Sequence, residues 1–219
     1  MKHWAIGFAL CALAGCASYY EPAVVEDGLI SNPKVGWGGY SIRIPDGLAL
    51  IYPLPDDEVS ERALAFREWY DKQANRYSGD YYNAFTERFL LENPERTFII
   101  SFLSETYELP VGWTMMNSVD ATYFIQKLIN RKKVVINDDH ASSEQVEING
   151  RPGWRVSGVS RPYFKKDGQV SDYEGYFIIG GLKEAFWIEG YGAPGTRAEL
   201  RAAVRAMVES LDVKGLDQR

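Results

Sequence analysis

The stretch EQVEINGRPGWRVSG, residues 144–158, leaves the backbone little choice. Two runs of alternating apolar and polar residues flank Asn149-Gly150. Asn-Gly accepts positive φ at both central positions of a tight turn, so the pair closes a two-residue hairpin. Two more turns follow at short intervals. KKDGQ (165–169) precedes the apolar run YEGYFII (173–179), and Gly180-Gly181 separates that run from EAFWIEGY (184–191). Strands joined this closely must run antiparallel, because a parallel pair needs a crossover of about a dozen residues or more. The C-terminal half of the chain is therefore an antiparallel sheet.

The flanking segments add strands and helices. In YSIRIP, Tyr40, Ile42 and Ile44 alternate with Ser41 and Arg43 before Pro45, the pattern of a half-buried strand. Asp46-Gly47 then offers a turn into LALIY, the next strand. Residues 60–77 read as a helix, with Ser60 as N-cap and Ala63, Phe66, Tyr70 and Tyr77 near one face. The run 81–92 fits helix or strand; the Asn93-Pro94 turn and TFIISFL after it favour a hairpin. A second helix begins at Ser118, carries Asp120 in its first turn, and aligns Ala121, Phe124, Ile125, Leu128 and Ile129. Its basic residues Lys127, Arg131, Lys132 and Lys133 lie toward the C-terminal end, where they complement the helix dipole. The last helix opens on Thr196-Arg197-Ala198-Glu199, a capping-box sequence, and places Leu200, Val204, Met207 and Leu211 on one stripe. This order predicts an α+β fold, an antiparallel β-sheet with helices packed on both faces in an α/β/α sandwich.

The chain begins MKHWAIGFALCALAGC. Lys2 supplies a positive start, and Trp4 to Ala14 form an apolar run shorter than the ~20 residues a membrane-spanning helix needs. That is the build of a secretory signal peptide. Its end, Leu13-Ala14-Gly15-Cys16, resembles a bacterial lipobox. The resemblance implies that Cys16 becomes the first mature residue and carries lipid, with palmitate among its acyl chains. Ala17 and Ser18 follow, with no Asp beside the cysteine, which leans toward the outer membrane, facing the periplasm. The expected division is a signal peptide at 1–15, a lipidated N-terminus and flexible tether at 16–39, a single α+β domain at 40–213 and a tail at 214–219. Pro22, Pro33 and the glycines between Gly28 and Gly39 suggest the tether.

Composition narrows the function classes. Hydrophobic residues make up 46% of the chain and aromatics 14%, enough for a packed body. A net charge of −6 argues against nucleic-acid binding and against a basic membrane patch. The two cysteines are Cys11, inside the signal, and Cys16, so neither a disulfide nor a catalytic thiol is expected.

GYSIRIPDGL, INGRPGWRVSG and FWIEGYGAPG followed by LRAAVRAMVESL resemble the PsbP-like (Mog/PsbP/DcrB) group across most of residues 40–213. The resemblance implies an antiparallel sheet with helices on both faces. It also implies an accessory or binding role without catalytic residues, often in an envelope lipoprotein.

Motifs with chemical potential are few. Gly190-Tyr191-Gly192-Ala193-Pro194-Gly195 matches G-x-G-x-x-G, but no further strand with an acidic residue follows, so a strand-to-helix turn is the better account. Asp138-Asp139-His140 contains the one histidine beyond the signal, and a solvated loop explains it better than a metal site. Carboxylate pairs such as Asp56 and Asp57, or Glu105 and Glu108, keep a hydrolase open as the alternative function. Trp69, Trp113, Trp154 and Trp187 suit either a core or a recognition surface. Trp113, in LPVGWTMM, is the residue assigned to a partner-binding surface. No catalytic residue, metal or cofactor is assigned. The expected function is a lipid-anchored, non-enzymatic binding or accessory module for an envelope protein partner.

Overall fold

A computed structural model describes residues 22–33, 39–53, 60–75, 83–107, 142–160, 171–180 and 184–214. In these residues eleven strands and two helices form two antiparallel sheets. The strands are β1 (Val24–Glu26), β2 (Leu29–Asn32), β3 (Tyr40–Arg43), β4 (Ala49–Tyr52), β5 (Asn83–Glu92), β6 (Phe98–Tyr107), β7 (Ser142–Ile148), β8 (Arg151–Ser160), β9 (Ser171–Ile179), β10 (Glu184–Gly192) and β11 (Asp212–Val213). The helices are α1 (Glu61–Asn75) and α2 (Arg197–Glu209). The larger sheet runs β4-β5-β6-β10-β9-β8-β7, and the smaller runs β1-β2-β3-β11.

Local chemistry accounts for the connections. Asn149 and Gly150 both take positive φ, 51° and 75°, so the β7–β8 hairpin closes as its sequence demands. Between β5 and β6, Asn93 Oδ1 accepts hydrogen bonds from the amides of Thr97 and Phe98, which turns the chain without helix. Ser60 caps α1, its Oγ accepting from the Ala63 amide at 3.1 Å.

Strand β10 lies at the centre of the larger sheet and is buried on both faces. That burial explains why EAFWIEGYG reads as a nearly continuous apolar run rather than an alternating one. One cluster joins Trp187 and Tyr191 of β10 to Ala63, Phe66 and Tyr70 of α1. The other joins Phe186 and Ile188 to Leu200, Val204, Met207 and Val208 of α2 and to Ile30, Tyr40 and Ile42 of the smaller sheet. The apolar stripe expected along the last helix is buried as expected, Leu211 included.

Three expectations need correction. Residues 24–32 fall within the expected tether, yet they form the β1–β2 hairpin, with Ile30 and Asn32 fully buried. Asp27-Gly28 supplies its turn, both residues at positive φ, and pairing with β3 outweighs the surrounding prolines and glycines. Strand β11 adds a further edge, so the body is richer in β-structure than the sandwich outlined from sequence. The capping box does not form either. Thr196 sits at φ −89° and ψ 3°, outside the extended region a capping residue uses, and its hydroxyl donates to the Ala193 carbonyl at 2.7 Å. The helix expected from Ser118 lies outside the described residues.

Candidate functional site

Four glutamates are buried in the described residues. Glu92 lies at the end of β5 beside Arg62 and Arg96, at 3.4 and 3.7 Å. The other three, Glu87, Glu174 and Glu189, lie within strands of the larger sheet. Each stands directly across the ladder from a serine: Glu87 from Ser104, Glu174 from Ser157, and Glu189 from Ser101. Directly opposed side chains lie ~5 Å apart, so a small partner leaves room for the carboxylate and its donors. A buried carboxylate is costly unless hydrogen-bonded or paired, and each of the three is satisfied in its own way.

Glu189 is held by tyrosine hydroxyls. Its Oε2 accepts from the Tyr70 hydroxyl of α1 at 2.8 Å, and its Oε1 accepts from Tyr173 at 2.9 Å and Tyr191 at 3.2 Å. All four residues are at most 3% exposed. Gly175, opposite Glu189 on β9, makes this possible: any Cβ there would collide with the Tyr173 ring and hydroxyl, which fold across it. Burial, and then the Glu189 charge, raise the pKa of Tyr173 and of Tyr191 well above the ordinary tyrosine value. Both hydroxyls therefore remain protonated and donating. Arg88 stacks over the Tyr70 ring at 4.4 Å, adding positive charge to the same cluster.

Glu87 works on the other face. It accepts from the Ala23 amide at 2.7 Å, Asn32 Nδ2 at 3.1 Å and the Tyr40 hydroxyl at 2.7 Å. One carboxylate of the larger sheet thus holds the residue just before β1 together with β2 and β3. Glu174 anchors a ladder of alternating charge. Arg155 bridges Glu174 and Glu144, each at 2.6 Å, and Arg201 of α2 approaches Glu174 at 3.5 Å. The bond to Glu174 raises the Arg155 pKa despite partial burial.

Glu174 and Glu189 occupy neighbouring strands out of phase, Glu174 opposite Gly190 and Glu189 opposite Gly175, and so face opposite sides of the sheet. Glu87 and Glu189 are likewise separated, Glu87 belonging with Tyr40 and Glu189 with Tyr70. These carboxylates bind elements of the fold to one another and do not converge on a shared centre.

The glycine motif proves to be a packing device. A Cβ at Gly190 would lie 2.5 Å from Leu200 Cδ1 and 2.7 Å from Val204 Cγ2, so the two glycines of β10 let α2 lie flat on the sheet. The amide of Gly195, at the entrance of α2, donates to Asp172 Oδ2 at 2.9 Å. A carboxylate of the chain itself therefore occupies the place where a phosphate would bind.

Trp154 and Trp187 are core residues, Trp187 against Phe177 with ring centroids 4.1 Å apart, and half-buried Trp69 packs on Tyr191. Cys16, Trp113, Asp138, Asp139 and His140 lie outside the described residues, as do Asp56, Asp57 and Glu108 and the side chain of Glu105. Among the described residues, no group of three His, Cys, Asp or Glu side chains could hold a metal ion. Sequence reasoning missed the Glu189 cluster, although a signal was present: a lone glutamate inside FWIEGY, a run otherwise apolar on both faces.

No family model matches the chain, and no curated protein matches it. Among solved structures, it is similar to cyanobacterial PsbP from Synechocystis. Identity is 10% and the TM-score 0.44, covering 89% of this chain and 98% of that one. A Pseudomonas aeruginosa protein of unknown function is similar at 13% identity and TM-score 0.41, over 64% of this chain and 88% of that one. A Bacteroides thetaiotaomicron protein shares 16% identity at TM-score 0.38, and the match spans 84% of this chain but 47% of the other.

Proposed function

We propose that this chain is a lipid-anchored protein of the bacterial cell envelope that acts as a non-enzymatic binding or accessory module for an envelope protein. Cys16 carries the lipid, residues 1–15 are removed, and the folded body faces the periplasm from the outer membrane. The α/β/α arrangement of the PsbP-like group, with α1 and α2 on opposite faces of the larger sheet, belongs to the same reading. The observation that carries it is Leu13-Ala14-Gly15-Cys16 at the end of a short apolar run. The interior gives secondary support: Glu87, Glu174 and Glu189 are each closed by their own donors and hold structure together. A domain built this way offers its surface, and Trp113 is the residue assigned to partner contact.

Growth with an alkyne-bearing fatty acid, followed by capture of the protein, tests the anchor. Label on the native chain and none on Cys16→Ser is the expected result. Crosslinking in intact envelopes then tests the function, with a partner expected from the anchored form and lost in Cys16→Ser and in Trp113→Ala. Label on both proteins, or on neither, removes the lipoprotein reading.

A further inference from the structure

The described residues expose three large hydrophobic side chains, and two of them are neighbours: Val24, 49% exposed, and Val25, 37% exposed. Both lie in β1, an edge of the smaller sheet that is exposed along its whole length. The body of the protein is already fixed by residue 23, whose amide is bonded to buried Glu87. Seven residue steps separate Cys16 from Ala23, a span of at most ~25 Å even fully extended. A folded chain of this size has a radius of gyration near ~17 Å, so its diameter exceeds that reach. An acylated Cys16 would hold the β1 end of the domain against the bilayer and turn the rest away.

We infer that β1 is a lipid-contacting edge: Val24 and Val25 rest in the headgroup region of the membrane that anchors Cys16. This inference rests on the lipoprotein reading above. Glu26 and Asp27 are also exposed at the end of the same hairpin, and the whole chain carries a charge of −6. The surface they fit is therefore zwitterionic lipid, and anionic lipid would weaken the contact through repulsion.

The test uses the mature protein, purified from membranes with its native N-terminus at Cys16, and reconstituted into phosphatidylcholine vesicles. An environment-sensitive fluorophore is placed at Val24→Cys or, as a control on the exposed strand β7, at Gln145→Cys. An acylated Cys16 is blocked, so each variant presents one reactive thiol. Mass spectrometry of the N-terminal peptide comes first. An unacylated Cys16 overturns the lipoprotein reading, and this inference with it. With Cys16 acylated, the expected result is about threefold stronger quenching at position 24 than at 145 by a quencher attached to lipid headgroups, because an apolar interfacial face sits ~5–10 Å deep. Inserting about twelve Gly and Ser residues after Ser18, which adds ~20 Å of mean reach, is expected to abolish the difference. Equal quenching at the two sites overturns the lipid contact and leaves the anchor standing. A difference that vanishes when the protein is diluted in lipid overturns it too, since a second copy would then be covering β1.

Discussion

Glu189 shows what a single charge does inside this sheet. Three tyrosine hydroxyls converge on its carboxylate, and Tyr70 brings α1 into the same cluster. Replacing it by alanine would leave three buried donors without their acceptor. Glu189→Ala is expected to cost about 3–5 kcal/mol in urea unfolding, whereas Glu189→Gln, which keeps one acceptor oxygen, costs roughly half as much. The tyrosines also set an alkaline limit. Their pKa values in the folded protein are raised above the unfolded value of about 10. Their stabilisation is thus intact below pH ~10 and is lost as pH rises, because the unfolded chain releases those protons first. Above that pH each of the two tyrosines steepens the loss by up to about 1.4 kcal/mol per pH unit. Urea melts between about pH 9 and pH 11, one unit either side of the ordinary tyrosine value, check this. Tyr173→Phe is expected to be less stable at neutral pH yet to show a shallower alkaline decline; an unchanged slope would remove Tyr173 from the explanation.

At the scale of elements, the β10–α2 unit carries the most information. Its glycines admit the helix, and Asp172 from β9 meets the helix entrance in place of the expected capping box. Asp172→Ala should therefore lower stability by about 1 kcal/mol, more than Glu199→Ala does. Thermal melts of the two variants distinguish the arrangements, since a working capping box reverses the order. Gly190→Ala should cost about 1–3 kcal/mol, because Leu200 and Val204 must move to admit a methyl group. Elements of this kind were legible where periodicity and turn chemistry agree, as in the β7–β8 hairpin, the stripe of α2 and the Ser60 cap of α1. They were illegible where long-range contacts decide. Val24–Asn32 did carry a local signal, Asp27-Gly28 between two short apolar runs, but the prolines and glycines around it masked the pair, and its burial is decided by β3 and by a carboxylate more than fifty residues away. Thr196 is a good capping residue by type, but the turn from β10 holds it at φ −89° and ψ 3°, where its side chain makes no cap bond. The Glu189 cluster draws on α1, β9 and β10, and only its lone charge was visible in advance.

For the whole molecule, the question is where the folded body begins. The boundary read from composition falls at residue 40, and the structure carries the folded body back at least to Ala23. Everything between includes a buried isoleucine, a buried asparagine and two of the donors that satisfy Glu87. A chain beginning at residue 22 keeps every contact described above and serves as the reference. A chain beginning at residue 34 loses Ile30, worth about 1.5–3 kcal/mol, and leaves Glu87 with Tyr40 alone among the three donors described above. Each lost hydrogen bond to a buried charge adds about 1.5–3 kcal/mol. Together these losses approach the ~5–15 kcal/mol that holds an ordinary domain, so the shorter chain is expected to be largely unfolded at room temperature. Circular dichroism and urea melts of the two truncations decide the matter. Equal stability would return residues 24–32 to a tether, whereas collapse of the shorter chain alone makes them part of the folded body.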